Sequence, residues 1–111
     1  MGTAAKTATV IGGGSWGTAL AHLMAVAGAK VQLWMRSDER IAEINERHTN
    51  SRYLKDKPIH PNVVATSDLR AAASFAETIV VAIPSANFRA LAYELGECVS
   101  GDQILLSATK G

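Results

Sequence analysis

The stretch Ala8–Gly17, A-T-V-I-G-G-G-S-W-G, constrains this chain more than any other. A short apolar run, Val10-Ile11, enters three consecutive glycines, and an alanine-rich helical pattern begins at once. Gly12, Gly14 and Gly17 therefore form G-x-G-x-x-G between an expected strand and an expected helix, the context in which this spacing carries meaning. Gly12 permits a sharp turn, Gly14 lets the backbone approach a diphosphate, and Gly17 lets the helix pack close to the strand. The N–H groups at the helix start and the helix dipole then favour an anion there. Gly13-Gly14-Ser15-Trp16-Gly17 also fits G-x-S-x-G, the nucleophile elbow of a hydrolase. A strand–turn–helix context suits both, but an elbow needs earlier strands and loops for its oxyanion hole, and few residues precede this one. Nor does a convincing acid-then-histidine pair follow in the required order. A phosphate loop ending in Lys-Ser/Thr is excluded, because Thr18 stands where the lysine has to be.

The rest of the chain alternates between the two periodicities of secondary structure. Lys6–Ile11 reads as a strand, and Ser15–Ala27 as a helix with Leu20, Leu23, Met24 and Ala27 on its apolar face. Gly28 ends that helix, and Lys30–Met35 is a second strand with Val31, Leu33 and Met35 on one face. This completes a β-α-β unit of roughly thirty residues, the size a dinucleotide fingerprint requires. Ser37 caps a second helix, with Asp38 and Glu39 in its first turn and Ile41 and Ile44 inward. Residues 48–62 are polar, hold two prolines and show no period, so they read as a long functional or mobile loop. Val63–Ala65 is a third strand, and Ser67 or Asp68 caps a brief helix through Ala73. Thr78–Ile83 is a continuous apolar run, as a central parallel strand covered on both faces should be. A helix follows over Ala86–Cys98, with Phe88, Leu91, Ala92 and Leu95 on one face, and Gln103–Ser107 is a fifth strand. Residues 1–111 thus form one α/β domain, a doubly wound parallel sheet of the Rossmann dinucleotide-binding type. Right-handed crossovers bring the glycine loop, the end of strand two and Ile83–Ser85 to one rim.

Composition removes several other classes. Eleven basic and ten acidic residues are interspersed, giving a net charge of +1, so nothing marks a nucleic-acid or anionic-membrane partner. The apolar stretch Thr18–Ala29 is too short for a membrane span and contains His22. A single cysteine, Cys98, fits a reducing compartment, and the N-terminus lacks a signal peptide's apolar core; a cytoplasmic protein is expected. His22, His48 and His60 lack metal-ligand spacing, so no metal is expected.

Individual residues refine the ligand. Arg36 ends strand two, where an NAD site usually carries an acid for the ribose 2′-hydroxyl. A guanidinium there can hold a 2′-phosphate, so Arg36 with Ser37 tilts the cofactor toward NADP, with NAD or use of both open. Ser15 is placed to offer a phosphate its N–H and hydroxyl. Trp16 is equally suited to cofactor contact or to packing. Pro84, in Ile83-Pro84-Ser85, serves either as strand punctuation or beside the nicotinamide half. Lys110, on chemistry alone, is a solvated loop lysine.

Taken together, V-I-G-G-G-S-W-G-T-A-L-A (10–21), L-W-M-R (33–36), N-S-R-Y-L (50–54), A-I-P-S (82–85) and S-A-T-K-G (107–111) resemble the bacterial NAD(P)-dependent glycerol-3-phosphate dehydrogenases. That resemblance implies interconversion of sn-glycerol 3-phosphate and dihydroxyacetone phosphate, feeding glycerophospholipid synthesis. It also implies cofactor contacts from Ser15, Trp16 and Arg36, with Tyr53 nearby, and places Lys110 against both cofactor and phosphorylated substrate. Lys55 departs from the family, whose members usually have proline after Y-L. Relatives continue into a helical substrate domain carrying the principal catalytic lysine, and this chain does not contain it. Residues 1–111 are then the cofactor-binding part, with no catalytic residue of their own and little turnover in isolation, and the full-length enzyme is expected to be a homo-oligomer. Two rivals stay open: another two-domain NADP-dependent hydroxy-acid dehydrogenase, and a non-catalytic nucleotide-sensing module.

Overall fold

The computed structural model describes residues 6–51, 54–83, 85–99, 101 and 103–107. Five parallel strands form one sheet: β1 (Thr7–Ile11), β2 (Lys30–Trp34), β5 (Val63–Thr66), β6 (Thr78–Val81) and β7 (Ile104–Ser107). Their order is β5-β2-β1-β6-β7. The chain winds outward from β1 through β2 to β5, then returns past β1 and winds the other way. Helices α1 (Ser15–Val26) and α2 (Asp38–Arg47) lie on one face, and α3 (Leu69–Phe75) and α4 (Ser85–Gly96) belong to the other. The parallel, doubly wound arrangement expected from the alternating pattern is present.

Side chains alternate across β1 in the way a two-sided sheet demands. Ala8 and Val10 join Val31, Leu33, Met35, Val63, Ala65 and Val80 beneath α1 and α2. Ile11 joins Trp34, Ile79, Val81 and Ile83 against α3 and α4. Thr9 is fully buried on that second face, and its hydroxyl donates to the Ala72 carbonyl at 2.6 Å, so its burial leaves no unmet donor.

The helix ends follow their capping residues. Ser37 Oγ accepts from Arg40 N–H at the start of α2, and Asp68, rather than Ser67, caps α3 by accepting from Ala71 N–H. Past α1, Gly28 N–H bonds to Ala25 and Ala29 N–H to Met24, a paired closure that Gly28 permits at φ +110°.

Two expectations are corrected. The buried face of α1 consists of Gly17, Thr18, Ala21 and Ala25, with Leu20 and Met24 at its margin, while Leu23 and Ala27 are exposed. Small residues seat this helix because it lies close to the sheet. Residues 48–62 are not simply a loop, since β3 (Thr49–Asn50) and β4 (Leu54–Pro58) form an antiparallel ribbon. Ile59, just beyond it, is buried in the core beneath α1 and α2. Helix α4 buries Leu91 and Leu95 as expected and exposes Ala92; the side chain of Phe88 lies outside the described residues.

Candidate functional site

The strand order reverses between β1 and β6, so their carboxyl ends border the crevice where open α/β sheets bind ligands. Sheet pairing runs one residue past both strands: Gly12 N–H donates to Trp34, and Ala82 N–H donates to Ile11. The glycine loop therefore leaves the sheet wedged between the ends of β2 and β6.

Each glycine of the motif meets a different surrounding. Gly12 has φ +124°, and a Cβ there would run into the Ala82 carbonyl and the Ile83 side chain. A Cβ on Gly17 would collide with the Gly12 carbonyl, so the absent side chain is what lets α1 rest on the end of β1. Gly14 has nothing within 4 Å of its Cβ position. That open side is where a bound group would sit against the backbone.

Helix α1 begins with Gly14 as its N-cap, and no side chain caps it. Nor is there an acid in its first turn. An anion at this end would gain the helix dipole without displacing a side-chain oxygen or meeting a carboxylate. The Gly13 carbonyl, which would repel an anion, is engaged elsewhere. It accepts from Thr18 Oγ1 at 3.2 Å and from Asn50 Nδ2 at 3.4 Å. The residues present thus fit a diphosphate: two steric glycines, one open glycine, an uncapped helix start and a secured carbonyl.

The remaining candidates divide into three groups. Ser15 and Trp16 are exposed on the first turn of α1, beside the open face of Gly14. Arg36 is exposed at the end of β2, with its guanidinium carbon 5.2 Å from the centre of the Trp34 ring. Trp34 is itself fixed, donating Nε1–H to the Ser67 carbonyl at 3.0 Å. Ser37 spends its hydroxyl as an acceptor on Arg40, which engages one lone pair and leaves its proton to give. Tyr53, Pro84 and Lys110 lie outside the described residues.

Sequence reading missed Asn50 and Glu43. Asn50 is fully buried and donates to Thr18 Oγ1 at 3.0 Å, joining the ribbon to the glycine loop. Glu43 on α2 accepts from the Thr49 hydroxyl, from Ser51 N–H and from the Ser51 hydroxyl. The Thr49 bond, then the Ser51 N–H, hold its carboxyl below the ordinary range, against some desolvation. The Ser51 hydroxyl and Arg47 add to this. The only sequence signal for either residue was the N-S-R-Y-L resemblance, which marked Asn50 without giving it a task. Among the described residues, no cluster of His, Cys, Asp or Glu could hold a metal ion, and no helix is long and apolar enough to cross a membrane.

Residues 7–111 match the family described as the NAD-dependent glycerol-3-phosphate dehydrogenase N-terminus. The chain belongs to that family. Among its relatives, the glycerol-3-phosphate dehydrogenase [NAD(P)+] of Limosilactobacillus fermentum is 39% identical over 109 residues, which is 96% of this chain and 32% of that protein. The protein of the same name from Ectopseudomonas mendocina is 44% identical over 102 residues, 92% of this chain and 30% of that protein. A glycerol-3-phosphate dehydrogenase crystal structure from Coxiella burnetii superposes with a TM-score of 0.88 at 30% identity, covering 96% of this chain and 33% of that one. The chain spans about a third of the length of the curated relatives it matches.

Proposed function

We propose that this chain is the nucleotide-binding part of an NAD(P)-dependent enzyme interconverting sn-glycerol 3-phosphate and dihydroxyacetone phosphate. The observation that carries the reading is the glycine loop, in which Gly12 and Gly17 are sterically obligatory while Gly14 faces open space. Family membership over residues 7–111 supports the dehydrogenase assignment.

In this reading the backbone of Gly12–Gly17 and the hydroxyl of Ser15 hold the diphosphate, and Trp16 flanks it. Arg36 and Ser37 receive the adenosine ribose, with the guanidinium favouring NADP while leaving NAD usable. We assign Tyr53 and Pro84 to the cofactor, and Lys110 to both cofactor and substrate phosphate. The bound nicotinamide nucleotide supplies or accepts the hydride. This chain's task is to bind and orient it, since hydride transfer needs carbonyl and ring in near-attack geometry. The proton donor to the carbonyl oxygen and most of the substrate's phosphate site are assigned to the part of the relatives beyond this match. The product would feed glycerophospholipid synthesis in the cytoplasm, from a homo-oligomeric enzyme.

The test is a titration of the 111-residue chain with NADP+ and NAD+, followed through the amide signals of residues 12–17. Movement of those signals with saturation is the expected result. A folded sample whose signals stay fixed would overturn the reading. In a dihydroxyacetone phosphate reduction assay, the same chain is expected to bind without appreciable turnover.

A further inference from the structure

We infer that Asn50 is a positioning residue of the glycine loop, orienting its N–H groups toward the diphosphate by securing the Gly13 carbonyl from behind. The inference rests on the reading of that loop as a diphosphate site. Asn50 is fully buried, and its amide nitrogen donates twice at the loop, to Thr18 Oγ1 at 3.0 Å and to the Gly13 carbonyl at 3.4 Å. Thr18, also fully buried, passes its own proton to the same carbonyl at 3.2 Å. The three groups close a small ring of hydrogen bonds under the turn.

Core stability alone does not account for this amide. Its Oδ1 is buried with no partner among the described residues. A buried acceptor left unpaired is costly, and an apolar side chain would avoid that cost. A group kept at such a cost points to work done elsewhere, and its donors lead to the turn that faces the ligand. The ribbon is itself held for the purpose. Glu43 grips Thr49 on one side of Asn50 and Ser51 on the other, so the carboxylate on α2 fixes the backbone from which the amide projects. Without the two donors, the Gly13 peptide is free to rotate, and rotation would swing its carbonyl toward the anion and the following N–H away.

The experiment measures dissociation constants of the 111-residue chain for ADP-ribose, which carries the diphosphate, and for adenosine 2′-phosphate, which does not. Asn50→Ala is expected to raise the ratio of the two constants about tenfold, the loss of a pair of hydrogen bonds. An unfolded fraction weakens both ligands by the same factor and leaves the ratio unchanged, so a merely structural role would not move it. Thr18→Val, nearly the same size, opens the ring from the other side and decides the matter should Asn50→Ala fail to fold; the same direction of change is expected. A ratio equal to that of the unaltered chain overturns the role of Asn50 while leaving the diphosphate site standing. An unaltered chain that binds adenosine 2′-phosphate but not ADP-ribose overturns both.

Discussion

Gly14 and Gly17 are the same residue type three positions apart, yet their substitution by alanine should separate function from folding. At Gly17 the added methyl meets the Gly12 carbonyl, a backbone atom next to the sheet end, where Gly12 N–H is bonded to Trp34. Gly17→Ala is expected to cost about 3 kcal/mol in urea unfolding, as overpacking against fixed atoms does. At Gly14 the methyl enters open space, so Gly14→Ala should unfold within about 0.5 kcal/mol of the parent. The same methyl would stand between backbone and diphosphate, and calorimetry should find binding of NADP+ and NAD+ weakened alike. Arg36 gives the complementary result. Arg36→Ala should weaken NADP+ by about ten- to a hundredfold, the loss of a charge-assisted hydrogen bond, while NAD+ changes little. Equal losses for the two cofactors would place the guanidinium away from the 2′ position.

Elements explain what could and could not be foreseen. The glycines were legible because their spacing encodes steric requirements within a few residues. The inward side of α1 was legible only in part: Leu20 and Met24 pack at the margin of the core as expected, but Leu23 and Ala27 are exposed, because a helix pressed on a sheet needs small residues at its centre. Gly17, Thr18, Ala21 and Ala25 meet that need, and nothing local reveals how near a helix will lie. The ribbon was hidden for another reason. Its strands are polar, and it is anchored by Glu43, whose partners are nearby in space through a turn that no periodicity records. That anchor should titrate. The carboxyl of Glu43 sits below its ordinary value when folded, so the unfolded chain takes up the proton first as pH falls. Its contribution to stability is full above the usual glutamate range and fades as pH drops through the lower folded value. Glu43→Gln should therefore flatten the decline in stability between roughly pH 5 and 3, measured by chemical unfolding at each pH.

The molecule as a whole has two unlike sheet edges. On β5 the outward N–H and carbonyl of Ala65 are both taken by the side-chain amide of Asn45, which blunts that edge. On β7 the side chains of Ile104 and Leu106 are 55% and 51% exposed on the α1 side of the sheet. Association of the 111-residue chain through this strand is expected, visible as concentration dependence in sedimentation velocity, and Leu106→Lys should suppress it without altering nucleotide affinity. The strand order has a temporal consequence as well. Ile11 pairs with Val81, and the turn after it is shaped against Ala82 and Ile83. Emerging from the ribosome, the opening segment must wait for some seventy further residues before its second neighbour arrives. Until then the nascent polypeptide has the motif but not the cradle. Capture of a nucleotide during translation would therefore mark the moment at which the middle of the sheet is complete.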